Sequence, residues 1–269
     1  GNFDWSRIDS EFARTANAGK YISFDLAGGD KAPEWAKPTG TNHTFKQVRL
    51  AGAGQTFSVR MSLPWNGTYK QRQKDMLFAL ANHLKANPTI YNKITYIRNY
   101  SGVFTDTDET RLPEQALVQS TLDGGWSTNN PVLWASLGYK PSKVFNTWKE
   151  MTNYQYSLFN DKYLAYALIS NENAFPTIDE NSLVVSAHTR DLTQDMIDDG
   201  FTSYPYFTID FNALYATGGN NDIVKAASDA GHLAGYQLNQ KKLAEPTCAF
   251  TENPLSPCSI TDQNAFEAV

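Results

Sequence analysis

Strand-like and helix-like segments alternate along most of the chain, and this alternation restricts the fold more than any single motif. The strand-like segments are short and rich in aliphatic and aromatic residues: KYISFDLAGG (20–29), FSVRMSLPW (57–65), KITYIRNY (93–100), KYLAYALI (162–169), YFTIDFNALYA (206–216) and HLAGYQLN (232–239). Helix-like segments lie between most of them. This order predicts a parallel sheet whose strands are joined by crossover helices.

The helix-like segments carry apolar residues at helical spacing and end at helix-breaking residues. Trp5, Ile8, Phe12 and Ala16 form one such series, which Gly19 ends. The others are YKQRQKDMLFALANHLKANP (69–88), which its final proline closes, SKVFNTWKEMTNYQYSLF (142–159), RDLTQDMIDDG (190–200), NDIVKAASDAG (221–231) and DQNAFEAV (262–269). The first four of these have the length expected of crossover helices, and the last begins a helix at the end of the chain.

The 269 residues suit one domain, residues 1–269, and no shift in composition marks a boundary. No Gly-x-Gly-x-x-Gly follows the first strand, so a dinucleotide-binding fold lacks its usual signature. We therefore predict an α/β fold of the (β/α)8 TIM-barrel type. Residues 115–140 are predicted to be a long loop or insertion above the barrel, and residues 181–190 are either a seventh strand or an irregular loop.

Several predicted strands alternate polar with apolar side chains. A parallel sheet covered on both faces usually reads as a nearly continuous apolar run, so one face here is expected to point into a polar barrel interior. Because an isolated buried charge is costly, Asp25, Arg60 and Asp210 are expected to neutralise one another there. The full set of polar positions is Ser23, Asp25, Ser58, Arg60, Ser62, Thr208, Asp210 and Asn212.

Charge and composition argue against several classes of protein. The net charge is −5 and no basic stripe follows the chain, which argues against nucleic acid as a partner. No apolar run approaches the ~20 residues of a membrane-spanning helix. The four histidines are scattered at His43, His83, His188 and His232, and no spacing typical of a metal site occurs. We therefore predict neither a metal nor a cofactor.

Two cysteines, Cys248 and Cys258, lie in the segment CAFTENPLSPC. Cysteines that close a short loop predict a disulfide, and a disulfide predicts an oxidising compartment. We therefore expect a secreted or extracellular protein, with two free thiols as the alternative.

Four stretches, taken in order, resemble the (β/α)8 glycoside hydrolases, the clan that includes the β-galactosidase-like and cellulase-like barrels. They are GNFDWSRIDSEFARTANAGKYISFDLAGG (1–29), PEW (33–35), LPWNGTY (63–69) and GVFTDTDETRLP (102–113). The resemblance covers most of the chain and rests on the order and spacing of the stretches more than on any one of them. It implies a carbohydrate partner and the hydrolysis of a polysaccharide or oligosaccharide without a cofactor.

In the resembled family a strand precedes the helix that begins near FDW, and an eighth strand follows the last helix. This sequence has neither, and six strands are predicted where the family has eight. We therefore expect the chain to be an internal fragment of a longer member that lacks its first and last strands and belongs to a larger assembly.

The segment GVFTDTDETRLP resembles the end of the fourth strand of the family, where the general acid/base lies. The resemblance assigns that role to Glu109, with Asp108 as the second choice. A solvated acidic turn or a calcium loop is the alternative interpretation of the same acids.

Glycosidic bond cleavage usually needs a second carboxylate. The family places it at the end of the seventh strand, which matches HLAGYQLNQ, but this segment has no acid there and offers Gln237 instead. Asp210, Glu245 or a residue beyond Val269 are the alternatives. A non-catalytic glycan-binding or structural domain therefore remains the second functional hypothesis.

Aromatic side chains combine an apolar face with polar atoms, which suits stacking on sugar rings. Trp35 and Trp65 fall in loops predicted at the carboxyl ends of strands, and Trp126 and Trp134 fall in the long loop. Each could equally be packed in the core. Polar candidates for sugar binding at or near strand ends are Arg98, Asn212, Tyr236 and Gln237.

Overall fold

The computed structural model describes residues 3–26, 28–48, 56–99, 110–112, 129–168, 175–176, 178, 180, 189–211 and 222–236. Five strands of this part form a parallel sheet, and two more form an antiparallel hairpin beside it. The strands are β1 Ile22–Phe24, β2 Asn42–Val48, β3 Thr56–Ser62, β4 Ile94–Arg98, β5 Tyr163–Leu168, β6 Phe207–Phe211 and β7 Ala234–Tyr236. The sheet has the order β1-β4-β5-β6-β7, which follows the chain without a reversal.

The helices are α1 Ser6–Asn17, α2 Gly67–Lys85, α3 Pro88–Tyr91, α4 Asn129–Ser136, α5 Pro141–Leu158, α6 Thr189–Ser203 and α7 Asp222–Asp229, with 3-10 turns at Gly29–Lys31 and Glu34–Ala36. Asn66 caps α2 by accepting a hydrogen bond from the amide of Tyr69. Pro88, predicted to close the second helix, instead begins α3 after the cap residue Asn87. None of the helices in the described ranges combines the length and apolar character that a bilayer crossing requires.

One face of the sheet packs against α5, α6 and α7. Leu164, Tyr166 and Leu168 alternate along β5 and are buried in one apolar cluster with Trp148 of α5 and Met196 of α6. The cluster extends to β6 and α7, which contribute Phe207, Ile209, Ile223 and Val224. The alternation predicted from the sequence therefore places large apolar side chains under the helices.

The same face continues across β1 and β4. Ile22 and Ile97 are buried in a second cluster with Leu80 and Leu84 of α2, and Phe12 of α1 packs against it. Among the described residues, the helices thus cover one face of the sheet. The prediction of an α/β fold with a parallel sheet and crossover helices is confirmed. A doubly wound sheet would carry helices on both faces and reverse its strand order, which the described sheet does not do. The closed eight-stranded barrel stays a prediction.

The connections at the two ends of the sheet differ in length. At the amino ends of the strands, the helix-to-strand connections are residues 18–21, 92–93, 159–162, 204–206 and 230–233. At the carboxyl ends, the described strands and the helices that follow them are separated by residues 25–66, which include the hairpin, and by residues 99–128, 169–188 and 212–221, most of which lie outside the described residues. Binding and catalytic residues of parallel α/β proteins lie on such carboxyl-end loops. The functional face is therefore expected at this edge.

The second predicted strand does not belong to the parallel sheet, which corrects one expectation. Thr56–Ser62 pairs antiparallel with Asn42–Val48, and Arg60 lies on the solvent side of this hairpin in an ion pair with Glu34 at 2.9 Å. Arg60 thus lies on the outer face of a hairpin and not in a barrel interior. The partner strand was missed although a glycine-rich segment, AGAGQ (51–55), lies between the two alternating runs, which is a hairpin signal.

Part of the predicted long loop is helical. Residues 129–136 form α4, and Trp134 on this helix is fully buried. Its ring stacks on Phe45 of the hairpin with 4.1 Å between ring centroids, and Trp65 and Tyr139 pack around it. Trp134 therefore fastens the hairpin to α4 and is not a free stacking platform for sugars.

Two glycines predict opposite effects of the same substitution. A Cβ on Gly200 of α6 would lie 2.2 Å from a ring carbon of Phe207, which is buried in β6, whereas a Cβ on Gly67 of α2 would meet nothing within 4 Å. We expect Gly200→Ala to lower the free energy of unfolding by roughly 1–3 kcal/mol through overpacking. Gly67→Ala should leave it unchanged or raise it by about 0.5 kcal/mol, because alanine reduces the entropy of the unfolded chain. Urea denaturation of both variants measures the difference, and equal effects would contradict the packing of α6 on β6.

Candidate functional site on the inner face of the sheet

The face of the sheet opposite the helices, here called the inner face, carries a buried ion pair. Both Nε and Nη2 of Arg98 donate to Oδ2 of Asp210, at 3.1 and 2.8 Å, and the two side chains are only 6% and 11% exposed. The strand β5 separates them. Its residues Ala165 and Ala167 lie level with Arg98 and Asp210 respectively, and their small side chains leave room for the guanidinium to cross the strand.

A second acid lies near this pair along the sheet. Phe24 of β1 is level with Ile97 of β4, so the next residue, Asp25, comes level with Arg98. The Oδ1 atom of Asp25 accepts a hydrogen bond of 2.7 Å from the amide of Leu26. The expected neutralisation of Asp210 by a basic residue is confirmed, but its partner is Arg98 and not Arg60. The expected neutralisation of Asp25 stays a prediction.

A cavity of about 390 Å³ lies on the inner face and extends from Asp210 of this ion pair toward the amino ends of the strands. This volume falls within the range of about 300–1,000 Å³ that is usual for small-molecule sites. Residues of β4, β5, β6 and β7 line it, among them Tyr96, Tyr163, Ala165, Thr208, Asp210 and Gly235. The cavity thus combines aromatic rings, a hydroxyl group and a carboxylate.

A cleft of similar size, about 450 Å³, lies between α5 and α6 and is lined by Phe145, Leu192, Asp195 and Asp198 among others. None of its lining residues belongs to a strand of the sheet. We therefore take the inner-face cavity, which borders the ion pair, as the candidate site.

The chain leaves the sheet after β4 and returns to it at Thr110, and both points are hydrogen-bonded to β5. The amide of Asn99 donates to the carbonyl of Ala165 at 2.6 Å, and the amide of Thr110 donates to the carbonyl of Ala167 at 3.0 Å. Leu112 then enters the main apolar cluster, where it is fully buried. Both ends of the acidic segment 100–109 are thereby fastened to the carboxyl half of β5. Glu109 and Asp108 themselves lie outside the described residues.

Helix α5 supports this edge from behind. Gln155 Nε2 donates to the carbonyl of Arg98 at 3.0 Å, and Thr152 Oγ1 donates to Oδ1 of Asn99 at 3.0 Å. The side chain of Asn99 is therefore buried against α5. These bonds fix the backbone of β4 at the position where Arg98 turns toward the inner face.

Glu180 ties the connection after β5 to the start of α5. Its carboxylate accepts hydrogen bonds from the amide and the hydroxyl of Ser142, at 2.9 and 2.5 Å. Burial raises the pKa of Glu180, but the two Ser142 bonds and the charges of Lys140 and Lys143 outweigh it, so its pKa lies below the ordinary value. An anion at a helix N-terminus is further favoured by the helix dipole.

The other residues predicted to form the site lie in different surroundings or outside the described residues. Trp35 is 57% exposed on the turn Glu34–Ala36, whereas Trp65 is half-buried and packs against Trp134 and Tyr139. The backbone of Tyr236 in β7 pairs with that of Phe211 in β6. Outside the described residues lie Trp126, Asn212, Gln237, Cys248 and Cys258.

Tyr96, Tyr163 and Thr208 of the cavity were not predicted as site residues. A signal was present, because Tyr96 alternates with Ile97 and Thr208 with Ile209 in the same way as the charged positions do. Within the described ranges, no three His, Cys, Asp or Glu side chains are grouped closely enough to hold a metal ion.

The buried ion pair predicts non-additive effects of mutation. Arg98→Met leaves the Asp210 carboxylate without its guanidinium in a buried place, so we expect a loss of about 3–5 kcal/mol in the free energy of unfolding. Asp210→Asn should behave similarly. The double variant should lose clearly less than the sum, and urea denaturation of the three variants measures the coupling.

A matched control is the exposed ion pair of Lys225 and Asp229 on α7. Lys225→Met should leave the unfolding transition unchanged, because solvent already screens that pair. Strictly additive effects of the two buried substitutions would contradict the interaction across β5.

The cap formed by Glu180 predicts a pH dependence. Because its pKa is lowered in the folded state, the stabilisation is fully present above the unfolded-state pKa of about 4.3 and is lost as the pH falls through the folded-state value. Glu180→Gln should therefore lower the free energy of unfolding by about 1 kcal/mol at pH 7, with the difference from wild type shrinking below about pH 4. Ser142→Ala keeps the amide donor and should lose less. A constant difference from pH 3 to pH 7 would contradict this account.

Comparison with known proteins finds similarity in fold without similarity in sequence. No family model and no curated protein matches this chain. A solved structure similar to it is the catalytic domain of a β-amylase from Paenibacillus polymyxa, with a TM-score of 0.54 and 11% sequence identity, covering 88% of this chain and 74% of that one. At this identity the likeness concerns the fold alone, and the neighbour is a (β/α)8 glycoside hydrolase barrel.

Proposed function

We propose that the chain is a carbohydrate-active barrel that hydrolyses a glycosidic bond in a polysaccharide or oligosaccharide. The observation that carries the proposal is the return of the chain to β5 at Thr110, next to the strand that bears Asp210. This return brings the ends of an acid-rich segment to the same edge as a buried carboxylate. The fold shared with a β-amylase catalytic domain supports the same conclusion.

The spacing of the strands makes a pair of carboxyl groups feasible. Thr110 is bonded to Ala167 on one side of β5, and Asp210 is level with Ala167 on the other side. Neighbouring strands are ~4.8 Å apart, so the backbones of Thr110 and Asp210 are separated by roughly 10 Å. Glu109 directly precedes Thr110. Side chains that extend toward each other from such positions would bring their carboxyl groups within the ~5–9.5 Å that glycosidases use.

In this proposal Glu109 is the proton donor and Asp210 the second carboxylate. Glu109 donates its proton to the glycosidic oxygen as the bond to the anomeric carbon breaks. Asp210, held by Arg98, either attacks the anomeric carbon or takes a proton from the water that attacks it. An acid that keeps its proton near neutral pH needs burial or negative neighbours, and Asp106 and Asp108 lie close to Glu109 in sequence. Asp108 is the alternative donor.

The cavity supplies groups suited to a sugar. The rings of Tyr96 and Tyr163 offer apolar surfaces for the C–H face of a pyranose, and Asp210 offers an acceptor for hydroxyl groups. The Oγ1 atom of Thr208 donates to the carbonyl of Leu233 at 2.7 Å and still has lone pairs to accept from a ligand. Glycan recognition commonly combines these two kinds of contact.

A second candidate function is glycan binding without hydrolysis. It is favoured by Gln237, which stands where the resembled family has its nucleophile, and by the engagement of Asp210 Oδ2 with two donors of Arg98. A carboxylate held in this way can accept hydrogen bonds from sugar hydroxyls without taking part in bond cleavage.

Secretion and a Cys248–Cys258 disulfide belong to the same proposal, because two cysteines that close a short loop are typical of proteins from oxidising compartments. The mass of the purified protein before and after reduction and alkylation tests the disulfide. Labelling of both cysteines without prior reduction would overturn it.

Hydrolysis is tested by reducing-sugar release from a panel of α- and β-linked glucans, galactans and xylans. Glu109→Gln and Asp210→Asn should each lower the rate at least ~100-fold, because each removes one of the two groups that move protons or attack. Asp108→Asn should retain most of the activity. Thermal unfolding of each variant checks that the fold is intact.

Three results would change the conclusion. Equal release by wild type and Glu109→Gln would reject Glu109 as the donor. Retention on a glycan without release would support the binding function. Neither release nor retention on any glycan of the panel would overturn the carbohydrate proposal.

A further inference from the structure

Trp35 differs from the other exposed apolar side chains in its position. Among the described residues, Tyr21, Tyr163, Tyr206 and Leu233 are exposed at the amino ends of strands, and Phe78 is exposed on α2. Trp35 alone of this group lies in a carboxyl-end connection, the one between β1 and α2, and is 57% exposed. It does not line the inner-face cavity.

The turn that carries Trp35 is held in a defined conformation. The amide of Ala36 donates to the carbonyl of Pro33 at 2.9 Å, and Nη1 of Arg72 donates to the carbonyl of Trp35 at 2.7 Å. The ring itself meets Phe3 edge to face, with 6.0 Å between ring centroids. An exposed ring that is already positioned loses little conformational entropy when a ligand stacks on it.

Charged groups lie beside this ring. The side chain of Glu34 is 64% exposed and is paired with Arg60 at 2.9 Å and with Lys37 at 3.3 Å. Lys37 is buried and also donates to the carbonyl of Asp30 at 2.9 Å, so it holds Glu34 from the protein side. Arg60, 57% exposed, faces solvent. The result is a fixed indole flanked by an accessible hydrogen-bond acceptor and an accessible donor.

We infer that Trp35, Glu34 and Arg60 form a binding platform for a sugar residue of a long polysaccharide chain. A pyranose has an apolar C–H face and a rim of hydroxyl groups, and this surface offers an aromatic ring for the face and charged partners for the rim. Because Trp35 is not part of the cavity lining, a short oligosaccharide bound in the cavity does not need it. The platform therefore selects polymeric substrates, an inference that rests on the proposed carbohydrate function.

Affinity electrophoresis in native gels containing amylopectin, xyloglucan or galactan tests the platform. For whichever polymer retards the wild type, Trp35→Ala should bind roughly tenfold more weakly, and Trp35→Phe should retain part of the affinity. Arg60→Gln should give an intermediate loss. The matched control is Phe78→Ala, which also removes an exposed ring and should leave retardation unchanged.

Each outcome separates the inference from the proposed function. If no polymer retards the wild type, the carbohydrate proposal and the platform both fail. If Trp35→Ala binds the polymer as well as wild type does, the platform alone is wrong. A matching loss of affinity for a trisaccharide in calorimetry would make Trp35 part of the cavity site and would also overturn the platform. A change in oligomeric state in light scattering of Trp35→Ala would identify the ring as a protein contact instead.

Discussion

In the part of the chain that the structure describes, the parallel sheet buries its large apolar side chains under helices on one face, and the other features described here depend on this one-sided burial. Leu164, Tyr166 and Ile209 fill the helix-covered face, while Arg98 and Asp210 occupy the inner face. Burial removes the solvation of these charges, and they are tolerated because each compensates the other. The inner face thus carries a compensated ion pair, and the cavity beside Asp210 combines polar groups with apolar lining residues such as Leu233 and Ala234.

Features set by local sequence were predictable, and features set by contacts distant in sequence were not. Alternating apolar residues and helix-ending residues indicated the parallel strands and most of the helices. The partner of a strand is not predictable in this way, because alternation is the same in a parallel sheet and in a hairpin. Thr56–Ser62 alternates as a strand of either kind would, and it pairs antiparallel with Asn42–Val48. Arg60 was misplaced for that reason. Trp134 was assigned to a loop because the glycines and asparagines before it suggested one, whereas packing on Phe45 accompanies a helix there.

In the candidate site, too, local features were predictable and contacts between distant parts of the sequence were not. The polar positions of Arg98 and Asp210 could be recognised on their strands, but their pairing depends on register across β5 and on two alanines that carry no motif. The cavity tyrosines Tyr96 and Tyr163 were not predicted, because in a strand the sequence does not distinguish an aromatic ring that lines a cavity from one in the core. In physical terms, a site assembled from several strands is specified by small side chains between the functional ones as much as by the functional ones themselves.

The uninterrupted strand order has a consequence for synthesis of the protein. Each strand of the parallel sheet pairs with the next parallel strand in the chain, so a nascent polypeptide can add strands one at a time to a single growing edge. No early strand has to wait for a partner from the far end of the sequence in order to join the described sheet. The unfinished edge is the part open to wrong pairing during translation, since its backbone amides and carbonyls are unmatched until the following strand emerges.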